Sequence, residues 1–162
     1  MDLEQRLRWE SRDEIEHVWL SHRATMWRSL VAWTGDRELS SDAVSEAFAQ
    51  ALGRGEALEA PARWIWKAAY RIAAGELATR RREGSAERVP DRMGELPEPV
   101  SDLVTALRTL SPNQRTAAVL RFYADLPTRD VAYVLGCSQT TVRVHLAQAR
   151  KRLRPLLEER DG

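Results

Sequence analysis

Residues Pro127 to Arg154 read PTRDVAYVLGCSQTTVRVHLAQARKRLR. Val131, Ala132 and Leu135 fall on one face of a short helix. Gly136 can take the left-handed backbone that ends such a helix, and Ser138 can accept the first amide protons of the next. In that second helix Val142, Leu146, Ala149 and Leu153 recur at spacings of four, three and four residues, so they share an inward face. Two short helices joined at a steep angle by a glycine turn make a helix-turn-helix, whose second helix is free to enter a major groove.

The opposite face of that second helix carries Gln139, Thr140, Arg143, Val144, Ala147 and Gln148 near its start, where base edges lie. Arg143 suits guanine through two hydrogen bonds, Gln148 suits adenine, and Val144 suits a thymine methyl. Arg150, Lys151, Arg152 and Arg154 follow without an intervening acid, a pattern suited to phosphates.

Upstream of this motif, Leu103, Leu107 and Leu110 predict one helix, beginning at Asp102. Ser111-Pro112 with Gln114 is a capping box with a first-turn proline, opening a helix through Leu120 and Tyr123. Residues 84–101 hold three prolines, two glycines and no periodicity, and read as a flexible linker. Before the linker the chain reads as amphipathic helices. Ser11 and Glu14 form a capping box ahead of Ile15, Val18 and Trp19, a break is expected near Ser21-His22, and Met26, Leu30 and Trp33 continue to a stop at Gly35-Asp36. Ser40 or Ser41 caps the next helix, with Ala43, Val44, Ala47, Phe48, Ala51 and Leu52 on its face and Gly53 and Gly55 at its end. A third helix opens at Pro61 and carries Ile65, Ala68, Ala69, Ile72, Ala73 and Leu77 to Arg80-Arg81-Arg82. Gly75 inside it costs about 1 kcal/mol relative to alanine, so close packing or a departure from helix is expected there. The fold class is therefore all-α: two small helical domains, 1–83 and 102–162, joined by the linker 84–101.

Composition agrees with helix, since Ala, Leu, Arg and Glu dominate and six tryptophans can fill thin cores. No apolar run approaches the ~20 residues of a membrane span, and the start of the chain lacks the order of a signal peptide. Cys137 is the only cysteine, so no intramolecular disulfide forms, which fits a cytoplasmic protein. His17, His22 and His145 have no metal-site spacing, and neither metal nor cofactor is expected. The net charge of +1 hides two basic blocks: residues 60–83 carry +4 and residues 102–162 carry +4, against −5 for 1–59 and −2 for 84–101. Two basic blocks suggest two places that touch phosphate.

The segment LSPNQRTAAVLRFYADLPTRDVAYVLGCSQTTVRVHLAQARKRLR closely resembles the promoter-reading C-terminal domain of sigma-70-family factors of the extracytoplasmic-function group. ELSSDAVSEAFAQAL resembles that group's core-polymerase-binding helix, and APARWIWKAAYRIAAGELATRRR its promoter-melting helix, in the family's order over nearly the whole chain. The resemblance implies a sigma factor that directs core RNA polymerase to promoter DNA and assists promoter opening, with no catalytic residue of its own and commonly an anti-sigma factor as partner. Asp42, Ser45 and Glu46 are the implied polymerase contacts, although Ser45 stands where glutamine is usual, and Phe48 doubles as core. Gln139, Thr140, Arg143, Val144, Ala147, Gln148, Arg150 and Lys151 are the implied contacts to the upstream element. Trp66, Lys67, Tyr70, Arg71, Arg80 and Arg81 are those to the downstream element. Trp64, Trp66 and Tyr70 can stack on unpaired bases, and Trp64 is the one expected in the core. Arg71 replaces a usual asparagine and Gly75 a usual aspartate. Pro127 stands for a capping serine, and Val144, His145 and Gln148 differ from the common serine and arginines, implying an altered upstream box.

Two other readings fit parts of the chain. A stand-alone helix-turn-helix regulator binds a palindrome as a dimer without polymerase. An enzyme needs Asp13, Glu14 and Glu16 or the histidines to converge in a pocket, and the sequence offers no phosphate loop or metal spacing to support one. Under the sigma-factor reading the linker matters. Its 18 residues reach at most about 60 Å extended and about 20–25 Å as a free coil, so two promoter boxes on one polymerase require it stretched.

Overall fold

The computed structural model describes residues 3–54, 58–84 and 97–161, and every regular element among them is helical. Helix α1 spans Leu3–Thr34, α2 Arg37–Arg54, α3 Pro61–Arg82, α4 Glu98–Leu107, α5 Pro112–Ala118, α6 Thr128–Leu135 and α7 Gln139–Asp161, with a π-helical turn, Val119–Tyr123, continuing α5.

Helix α1 runs unbroken through Ser21-His22. Its core stripe of Ile15, Val18, Met26, Leu30 and Trp33 keeps helical phase across that point, so packing overrides the local break signal. For the same reason Ser11 is not a cap. It is buried inside the helix, eight residues past its first residue Leu3. Gly35 ends α1 in the left-handed region, φ 73°, and its amide donates to Val31 O at 2.7 Å.

Asp36, not Ser40 or Ser41, caps α2, because it stands just before the helix. Its Oδ1 accepts from the Leu39 amide at 3.0 Å and its Oδ2 from Arg80 Nη1 at 2.7 Å. Ser40 is buried within α2, donating to Asp36 O. Ala43, Val44, Ala47, Phe48 and Ala51 pack inward as the spacing requires, with Phe48 edge-on to Trp19 at 4.9 Å, whereas Leu52, expected on that face, is exposed. Helix α3 buries Ile65, Trp66, Ala68, Ala69, Tyr70 and Ala73. Gly75 lies in regular helix on the exposed side, and a Cβ there meets nothing within 4 Å, so neither close packing nor a broken helix accounts for it.

Residues 85–96 of the expected linker lie outside the described residues. Its last four, 98–101, are already helix α4, which starts behind Pro97 and holds Pro99 in its first turn. Val104 and Leu107 are its buried positions, Leu103 is exposed, and Leu110 lies beyond the helix end. The Ser111 capping box forms in both directions.

The two halves expected to serve separate DNA elements are in contact here, through α1 with α4 and α3 with α6. One apolar cluster runs from Ile15 in α1 to Ala149 in α7. At its centre the Trp33 indole donates to Thr116 Oγ1 at 3.0 Å, and the Arg115 guanidinium lies 4.5 Å over the Trp33 ring. Arg108 reaches the Thr34 carbonyl at the end of α1.

Candidate nucleic-acid interface

The helix-turn-helix forms as its residue types require. The Gly136 amide donates to Tyr133 O at 3.3 Å and the Cys137 amide to Ala132 O at 3.1 Å, the paired bonds of a Schellman turn, with Gly136 at φ 68°. Ser138 Oγ accepts from the Thr141 amide at 3.1 Å and starts α7. Pro127 offers α6 no side-chain cap. Val142, Leu146 and Ala149 are buried, and Leu153 is half-buried.

Those inward positions fix the rotation of α7 and leave Gln139, Thr140, Arg143, Val144, Ala147 and Gln148 exposed together. Val144 is 50% exposed, so an apolar side chain is held in solvent at the centre of a polar face. Arg150 and Lys151 are exposed beyond it, Arg150 with its guanidinium 4.8 Å over the Phe122 ring. Phe122 and Tyr123 stand outward because the π-helical turn adds a residue to the helix and rotates them off the core face. His145 is half-buried at the flank of the inner face.

Sequence reasoning missed one member of this surface, Gln114. Its amide nitrogen donates to Gln148 Oε1 at 3.0 Å, across 34 residues of sequence. The capping box was legible. The reach to α7 was not, because it depends on how α5 packs beside α7.

The other cationic face, on α3, differs from expectation. Trp66 is 1% exposed and Tyr70 5%, so in this conformation neither is free to stack on a base. Trp64, expected as the core member, is only half-buried, under Arg54 at 5.1 Å. Trp66 donates to His22 Nδ1, and Tyr70 packs on Trp33 and Trp66. Burial pushes the Tyr70 hydroxyl well above its ordinary pKa, against the opposing charge of Arg115, and it has no hydrogen-bond partner among the described residues. Burial, then Arg108 and Arg81, brings Arg115 down to about 10. Lys67 and Arg63 lie over the Tyr133 ring of α6 at 4.9 and 4.7 Å. Arg80 is bound to buried Asp36 and is not a free phosphate ligand. Arg71 and Arg81 remain exposed. Asp42, Ser45 and Glu46 lie together on the exposed side of α2, beside half-exposed Leu52.

Between α1 and α6 an open groove of about 830 Å³ is lined by Asp13, Glu14 and His17 on one side and Arg63, Arg129 and Asp130 on another. Glu16 is not part of it, and no serine, threonine, cysteine or lysine is among the described lining residues. No group of His, Cys, Asp or Glu among the described residues has the arrangement of a metal site, and no described helix is long and apolar enough to cross a membrane.

A short helix, a left-handed glycine turn and a capped second helix with an exposed reading face define a helix-turn-helix DNA-binding fold. Residues 101–153 match the family Sigma-70, region 4. The chain is 39% identical over 83 residues to an RNA polymerase sigma-E factor of Streptomyces antibioticus, covering 49% of this chain and 46% of that protein. An RNA polymerase sigma-E factor of Streptomyces avermitilis is 42% identical over 59 residues, covering 36% of this chain and 33% of that protein. The matches thus span about half or less of these relatives' length. Among solved structures, the sigma factor RpoE in complex with the anti-sigma factor NepR from Bartonella quintana matches with a TM-score of 0.63 and 23% identity over 91% of this chain and 96% of that one. At that identity the likeness establishes a shared fold.

Proposed function

We propose that this chain is an RNA polymerase sigma factor of the extracytoplasmic-function type, acting in the cytoplasm with core RNA polymerase, promoter DNA and an anti-sigma factor as partners. The observation that carries the reading is the exposed face of α7, six side chains wide, within the region that matches Sigma-70, region 4. On this reading residues 102–162 bind the upstream element. Arg143 and Val144 contact base edges, and Arg150 and Lys151 contact phosphates. Residues 1–83 dock on the polymerase through Asp42, Ser45 and Glu46 and engage the opened downstream element through α3. The chain itself makes and breaks no bonds; the polymerase does.

The reading has a conformational consequence. Trp66, Tyr70 and Lys67 lie at or beside the packing between the halves, and two promoter boxes on one polymerase lie farther apart than this packing permits. The halves therefore separate when the holoenzyme forms. Stacking on aromatic rings, about 1–3 kcal/mol per base, then helps offset the few kcal/mol of drawing a base from its stack.

Core binding and run-off transcription test this directly. The purified chain should bind core polymerase and confer promoter-specific transcripts. Asp42→Lys with Glu46→Lys should weaken core binding at unchanged helicity. A chain that binds a palindrome as a dimer and leaves polymerase unaffected is instead a stand-alone regulator.

A further inference from the structure

We infer that Gln114 sets the base preference of the upstream reader, by fixing which end of the Gln148 amide faces the groove. The argument starts at a group whose chemistry is unambiguous. A backbone N–H can only donate, and the Ser111 amide points at the Gln114 side chain, 3.2 Å from Oε1. The oxygen end of the Gln114 amide is therefore the end held at the cap. The Gln114 backbone amide closes the box on Ser111 Oγ at 3.3 Å, so the side chain is gripped at the first turn of α5. Its nitrogen end must face the other way, and there it donates to Gln148 Oε1 at 3.0 Å.

The same logic carries one step further. With its oxygen turned to Gln114, Gln148 has its NH2 group left for solvent or DNA. Pairing with adenine through two hydrogen bonds needs both the oxygen and the nitrogen of a glutamine amide turned to one base edge. Gln148 therefore turns its NH2 end, not its oxygen, to the groove, and the major-groove edge that offers two acceptors is guanine, at N7 and O6. A donor chain that begins at a helix cap thus ends as a donor on the reading face. Gln114 touches no base. It is a positioning residue, and Gln148 is the reader it orients.

This inference rests on the proposal that α7 reads the upstream element, and the test separates the two. Glutamate serves as well as glutamine at this position of a capping box, so Gln114→Glu keeps the Ser111 bond. Its second oxygen can only accept, so the Gln148 amide must turn, NH2 inward and oxygen outward, toward donors such as adenine N6 or cytosine N4. Gln148→Glu reaches an outward acceptor independently, because Gln114 still donates to one of its oxygens.

The experiment is transcription by reconstituted holoenzyme from a library randomised across the upstream box. Wild type should prefer guanine at one position, by a factor on the order of ten. Gln148→Ala should flatten that position alone, and both glutamate variants should move it toward adenine or cytosine. Unchanged preference in Gln114→Glu, whatever its melting temperature, shows a cap and nothing more, and overturns the inference. So does an adenine preference at that position in wild type. Absence of any promoter-specific transcript with wild type overturns the underlying reading itself.

Discussion

Helices α3 and α7 both present cations and hydrogen-bonding groups at high density, yet they use them in opposite ways. On α7 the outward residues Gln139, Thr140, Arg143, Val144, Ala147 and Gln148 are all exposed, and internal contacts such as that of Gln114 orient them without covering them. On α3 most of the corresponding groups are spent inside the molecule. Arg80 holds Asp36, Lys67 lies on Tyr133, and Trp66 and Tyr70 are core. Only Arg71 and Arg81 of the six remain exposed. Density of charge marks a basic helix; which of its charges are free depends on what packs against it.

The sharpest way to break this contrast is to compare two arginines of α3. Removing Arg80 takes the cation from a buried carboxylate that keeps its Leu39 bond, so Arg80→Ala should cost about 2 kcal/mol of unfolding free energy. Exposed Arg71→Ala should change it by less than about 0.5 kcal/mol. Equal denaturation midpoints for the two variants would mean that α3 carries no internal ion pair of consequence.

Tyr133 tests the coverage of α3 by α6. Its ring lies under both Arg63 and Lys67, and two such contacts amount to about 1–2 kcal/mol. Tyr133→Ala should therefore raise the fraction of molecules with separated halves several-fold, read as a longer distance between labels at exposed positions 45 and 139. An unaltered distance distribution shows that other contacts hold the halves together and that Lys67 is freer than it looks.

The smallest effect belongs to His22, which accepts the Trp66 indole proton at Nδ1 and is therefore neutral in the fold. Burial first, then His17, lowers its pKa below the ordinary 6.5. The unfolded chain takes up the proton at 6.5, so stability is whole above that pH, declines as pH falls below it, and levels off under the folded-state value. His22→Leu should flatten this decline. An identical pH slope in both proteins excludes His22 as its source.

The same contrast explains what the sequence reveals. The helix-turn-helix is legible because its determinants are local. Gly136 ends one helix, Ser138 starts the next, and a spacing of four, three and four residues orients the second. Local signals also mislead where packing outweighs them. The Ser11–Glu14 pattern is that of a cap but sits inside α1, and Asp36 rather than a serine opens α2. The choice between Trp64 and Trp66 as core, the partner of Arg80 and the reach of Gln114 all depend on residues 34 to 44 positions away or on another helix, and spacing within one helix carries no trace of them.

Asp36 also bears on the order in which the molecule is built. It closes the end of α1, the start of α2 and the last turn of α3 with bonds spanning at most 44 residues, whereas the Trp33–Thr116 bond spans 83. Loop closure favours the shorter span, and a chain leaving the ribosome N-terminus first has the shorter one available earlier. The three-helix unit can thus form while the residues that will cover its basic face are still being translated. For that interval α3 presents Lys67 to solvent without Tyr133, and a nascent chain is the species in which this surface is most open.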